Sequence, residues 1–88
     1  MTSAMTEEEL LEIEKLCEAA TAGPWRPFLE GRDHQSGSSF IRTGGDDIEM
    51  TGAKEADYDF IAGARQTVPR LLEEVRRLRA QRAGGSER

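Results

Sequence analysis

Apolar residues recur at helical spacing in two separate parts of the chain and at strand spacing between them. At the front, Leu10, Ile13, Cys17 and Ala20 follow one another at three, four and three residues, with Leu16 adjoining. That is one face of an amphipathic helix of about four turns. Thr6 followed by Glu9 predicts a capping box at its start, and Glu7, Glu8 and Glu9 suit the positive end of the helix dipole. Gly23-Pro24 predicts its stop, the glycine supplying a left-handed turn and the proline preventing continuation. At the back, Phe60, Ile61, Ala64 and Val68 form one stripe, and Leu71, Leu72, Val75 and Leu78 form a second. Pro69 lies between them, without an N–H and in steric conflict with the preceding turn. The pattern therefore predicts two C-terminal helices, 55–66 and 68–82, meeting at an angle, with Thr67 capping the second.

Between these ends the period changes. Trp25, Phe28 and Leu29 make one apolar patch and Phe40–Ile41 another, while Ile48 and Met50 alternate with polar residues. Gly44-Gly45 signals a tight turn. A small antiparallel sheet follows: a strand near 25–30, held to an edge by Pro27, then a hairpin of 38–43 and 47–51. Such a sheet is marginal alone, so one face must pack on the helices, with Trp25 anchoring the contact. The predicted fold is α+β, one small domain over 1–88, with 1–5 and 84–88 as tails.

Composition sharpens this. With 36% hydrophobic and 33% charged residues in 88, the chain's own core supplies only about 3–5 kcal/mol. The single cysteine excludes an internal disulfide, and Cys17 on the apolar stripe reads as a small buried hydrophobe. One histidine with one cysteine cannot close a structural zinc site, so neither a metal nor a cofactor is expected. Oligomerisation remains as reinforcement, and the stripe Leu71, Val75, Leu78 is its expected interface. No apolar run approaches the ~20 residues of a membrane span, and no signal-peptide pattern precedes the charged N-terminus, so the expected location is the cytoplasm. The net charge of −5 is unevenly spread: −5 over 1–30, −4 over 31–60 and +4 over 61–88. An acidic front and a basic back are expected to face each other, within a chain or between chains. The acidic total argues against nucleic acid as a partner.

No motif supports catalysis. Asp46-Asp47 beside Gly44-Gly45 reads as solvation of a turn. His34 with Asp33 and nearby serines lacks the fixed geometry of a triad. Gly37-Ser38-Ser39 does not open a helix as a phosphate loop would. Heptad spacing extends over no more than about two repeats. A small metal-dependent hydrolase built from Asp46, Asp47 and His34 is the least favoured reading.

Two segments carry a family resemblance. Ala20, Thr21, Gly23, Pro24 and Trp25 stand in an ATxGPW motif. Asp57, Phe60, Ile61, Ala62, Ala64, Arg65, Val68, Pro69, Leu71, Leu72, Glu74, Val75, Leu78 and Arg79 form a second, D-x-x-FIA-x-AR-x-x-VP-x-LL-x-EV-x-x-LR. Together they resemble the small Ead-like accessory proteins of bacteriophages and prophages, over a little more than half of the chain. The pattern often has proline where this chain has Ala22, and the middle has no counterpart. The resemblance implies a phage-type protein of an actinobacterial host, without known enzyme activity and without catalytic residues to transfer.

Two modes of binding without turnover follow. In one, a homodimer or larger homo-oligomer sequesters a defence-signalling nucleotide, with Arg65 and Arg70 pairing with phosphates and Trp25, Phe40 or Tyr58 stacking on the base. In the other, the chain is an interaction module that inhibits or redirects a host protein through its helix face or its middle segment.

Overall fold

The computed structural model describes residues 4–85. Four elements follow in order: α1 (Glu7–Ala19), β1 (Arg26–Phe28), β2 (Phe40–Arg42) and α2 (Glu55–Gly85). The α+β class is as predicted, but the C-terminal half is not. Residues 55–85 form one helix of 31 residues with Pro69 inside it, so the two helices 55–66 and 68–82 are a misreading. The two halves of α2 are held by different partners. Its N-terminal half packs on the sheet through Tyr58 and Ala62, and its C-terminal half shares a groove with α1 through Val68, Leu71, Leu72 and Val75. Tertiary packing on both sides outweighs the local cost of the proline. The result is long rather than round: the extents are 60 × 29 × 20 Å and the radius of gyration is 17.2 Å, against about 12 Å for a compact chain of this length. Among the described residues no helix is long and apolar enough to cross a membrane.

α1 starts where its sequence predicts. The Thr6 hydroxyl accepts from the Glu9 N–H at 3.1 Å, and the Glu9 carboxylate accepts from the Thr6 N–H at 2.8 Å, which closes the capping box. Its end differs from expectation. Ala20 leaves the helix in an extended conformation, and Gly23 is not left-handed. Leu10 is buried and Ile13, Cys17 and Ala20 are half-buried, whereas Leu16 is 70% exposed and outside the inward stripe. Ahead of α1, the Met5 carbonyl accepts from Arg79, and at the other end α2 continues to Gly85. The rest of the expected tails, 1–3 and 86–88, lies outside the described residues.

The sheet is smaller than predicted. β1 and β2 pair antiparallel with Pro27 opposite Ile41, and the third strand, expected at 47–51, is a single bridge between Ile41 and Ile48. Ile41 spends its N–H and C=O on Ile48, at 2.8 and 2.9 Å. The Pro27 nitrogen opposite it therefore lies on the outer edge of β1, where no donor is needed. Gly44 is required for a reason other than a turn. A Cβ there would lie 2.8 Å from the Ala22 carbonyl oxygen, the same oxygen that accepts the Gly44 N–H at 2.8 Å.

One small core lies under the sheet, with Leu29, Ile41, Tyr58 and Ala62 buried and Trp25, Ile48, Met50 and Ala53 around them. Trp25 is fastened as well as packed. Its N–H donates to the Gln66 side-chain oxygen at 2.6 Å, and the Gln66 amide nitrogen donates back to the Trp25 carbonyl at 3.2 Å. The Trp25 ring N–H donates to the Thr21 carbonyl at 2.9 Å. Gln66→Ala leaves a part-buried N–H and C=O without partners and is expected to cost about 1–2 kcal/mol. A shift of the chemical unfolding midpoint, read by the fluorescence of the single tryptophan, checks this.

Candidate functional site

The residues expected to gather around a nucleotide are placed in four different environments. Arg65 donates from Nε to the Thr21 carbonyl at 2.9 Å, the oxygen that also receives the Trp25 ring. Arg65 and Trp25 are thus brought together, as the tie between the α1–β1 loop and α2. Tyr58 is buried, and its hydroxyl lies 3.1 Å from the Met50 carbonyl and 3.4 Å from that of Ser39. It is a core residue with no open face to stack on a base. Phe40 lies on the outer face of the sheet, and Arg70 lies beside Leu71 on the solvent side of α2. The set does not converge on one cavity within the chain.

Phe40 has its own setting. Its ring stacks on Phe28 at 5.5 Å and 13°, and the Arg42 guanidinium lies 4.7 Å and 5.6 Å from the two ring centroids. His34 tilts against Phe40 at 5.7 Å. Its Nδ1 lies 2.7 Å from the Ser36 carbonyl and so carries the proton that this bond needs, while Nε2 is buried without a polar partner. Asp47 borders the same depression and Asp46 does not. The three residues of the hydrolase reading are therefore not assembled, and no group of three possible metal ligands occurs among the described residues.

The loop that leads into this patch is clamped on both sides. Asp33 accepts from the Leu29 N–H at 2.8 Å, and Arg32 reaches both oxygens of Asp59 at 3.0 and 3.1 Å. The Leu29 N–H lowers the pKa of Asp33, and the Arg32 hydrogen bonds lower that of Asp59. A lowered carboxyl stabilises the fold above its unfolded pKa and loses that contribution as pH falls through its folded pKa. The clamp is expected to open only below the ordinary carboxylate range. An NMR pH titration that releases it at or above that range would contradict the clamp.

The helices carry an uncovered apolar face. Glu14 pairs with Arg76 at 3.2 Å and Glu7 with Arg79 at 3.0 Å, which closes one flank of the α1–α2 contact. This is the attraction expected between the acidic front and the basic back, realised here within the chain. The other flank is open and apolar. A groove lined by Met5, Leu10, Ile13, Val68, Leu71, Leu72 and Val75 runs into a second one that holds Phe60, Gly63, Ala64, Val68 and Leu71. Phe60 is 76% exposed, Leu71 57% and Leu78 49%. Of the expected interface, Leu71 and Leu78 lie outward, while Val75 is half-buried toward α1. The stripe begins earlier than the sequence reading put it. Phe60, Ala64, Leu71 and Leu78 fall on one line of α2 about 27 Å long, a continuity hidden by dividing the helix at Pro69.

Comparison with protein-family models, curated proteins and solved structures finds no match to this chain.

Proposed function

We propose that the chain is a non-enzymatic accessory binding protein of the phage or prophage type that its terminal motifs resemble. It acts in the host cytoplasm as a small homo-oligomer and engages a host protein. The observation that carries this reading is the uncovered apolar face. Among the described residues six hydrophobic ones are buried, while seven large ones, Phe60, Leu71 and Leu78 among them, are exposed. A patch of that kind, rimmed by charge, is the mark of an interaction surface. The patch on the sheet, with Phe28 and Phe40 beneath Arg42, is a second surface of the composition that partners favour.

The nucleotide-sequestering reading stands second. Its support is Arg70, which borders the apolar face and makes no ion pair among the described residues. A phosphate held there would sit between subunits rather than within one.

Light scattering at micromolar concentration, followed by mass analysis of small molecules released on denaturation, tests these readings. A mass near 9.8 kDa would end the oligomer reading. An intact nucleotide on release favours sequestration and an altered one an enzyme. Without a nucleotide, one co-purifying host polypeptide supports the interaction module.

A further inference from the structure

We propose that the free edge of the sheet, from Asp47 to Glu49, takes up an extended basic segment of a partner protein as an added antiparallel strand. The inference rests on the reading that the chain engages a host protein. It adds a place of contact and the chemistry of the segment.

The sheet has two edges, and only one is open. On β1 the Pro27 nitrogen faces outward, so that edge lacks a donor. On the other side Ile48 exchanges both of its backbone hydrogen bonds with Ile41. In an extended chain the residues on either side turn their N–H and C=O groups the opposite way. The backbone runs from Asp47 to Met50 without a turn or bend, and Asp47 and Glu49 are exposed. Neither has a backbone hydrogen-bond partner among the described residues. Their N–H and C=O groups thus stand in a row at strand spacing, which is what an added strand needs.

Charge decides the occupant. Ile48 packs against the core, so the side chains of Asp47 and Glu49 stand on the outer face. There they border one depression with Phe40 and Arg42. Asp46 adds a third acid beside them, and no basic residue occurs from Gly44 to Ala53. None of the three acids forms an ion pair among the described residues. The cations of the outer face lie further in. Arg42 covers the Phe28 and Phe40 rings, and Arg26 stands opposite it on β1. Asp33, in the same depression, is matched by Arg32. Lys54, past the turn at Thr51 and Gly52, pairs with none of the three. The free edge is therefore acidic.

A second copy is a poor occupant, because edge against edge sets like charges opposite one another. A segment with basic residues facing Asp47 and Glu49 matches both. The residue between them lies beside Ile48 on the inner side, where an apolar side chain fits. The pattern recognised is basic, apolar, basic.

A capped pentapeptide of alternating lysine and valine, with lysine at both ends, tests this by NMR on the isotope-labelled chain. In antiparallel register its lysine amides bond to the edge and its valine amides face away. At millimolar peptide the Asp47 and Glu49 amides are expected to shift and to gain protection from exchange. Methylating the lysine backbone nitrogens of the peptide should abolish this, and methylating the valine ones should not. A peptide with glutamate in place of lysine should not bind. Asp47→Asn together with Glu49→Gln should weaken binding roughly three- to tenfold, the scale of two exposed ion pairs. No response at the two amides overturns the added strand, as does a lysine-methylated peptide that binds as well as the unmodified one. Either result leaves the host-protein reading intact, since co-purification tests that reading separately.

Discussion

Leu71→Glu is expected to yield a folded monomer. Leu71 is 57% exposed in the single chain, so a glutamate there keeps its hydration and disturbs little of the fold. In the proposed assembly the same carboxylate would be buried against apolar neighbours without a partner, at a cost of several kcal/mol. Each 1.4 kcal/mol is tenfold, so the dissociation constant should rise by about a hundredfold or more. Light scattering reads the mass and circular dichroism the helix content. Val75→Glu separates surface from core. Val75 shares the α1 groove with Leu10 and Ile13, so its glutamate should cost fold stability as well as assembly. A Leu71→Glu variant that stays oligomeric would remove this face as the interface.

Pro69→Ala is expected to stabilise the chain by up to about 3 kcal/mol, the cost of a proline inside a helix relative to alanine. At position 69 of a continuous helix, the ring deprives the Arg65 carbonyl of its i+4 donor and crowds the turn before it. Alanine supplies the donor and removes the ring. Denaturant titration checks the gain, and an unchanged midpoint would mean that the helix is already relaxed around the proline. This is a large fraction of the stability open to so small a domain.

What was legible in the sequence follows the range of the interactions responsible. The start of α1 was readable because Thr6 and Glu9 cap it within three residues. The edge placement of Pro27 was readable because a missing donor has only one acceptable side. The unity of α2 was not. Pro69 is a strong local signal, and what overrides it is the docking of α1, through Leu10, onto Leu72 and Val75. The third strand was overread because alternation at Ile48 and Met50 signals a pleat without saying how many backbone pairs form. The burial of Tyr58 was not legible, because an aromatic residue beside charged ones looks exposed until the helix turns it inward. Gln66 was missed entirely. Its only sequence signal is an amide on the side of α2 that carries Ala62, which becomes informative once Trp25 is known to lie opposite.

The single long helix divides the labour of the molecule by position. Residues before Arg65 hold the sheet, those after Gln66 hold α1, and Arg65 and Gln66 themselves secure the joint through Thr21 and Trp25. The sheet and its loops thus form a head, and α1 with the rest of α2 a stem. A head of this kind is replaceable. The tip from Gln35 to Ser38 lies beyond the contacts of Arg32 with Asp59 and of Asp33 with the Leu29 N–H and ahead of the sheet residues Phe40 and Ile41, so a graft of different length at that tip would be displayed on the same stem. If copies of the stem associate, several such grafts would be presented on one assembly, and a weak binding peptide placed there would gain from being offered more than once.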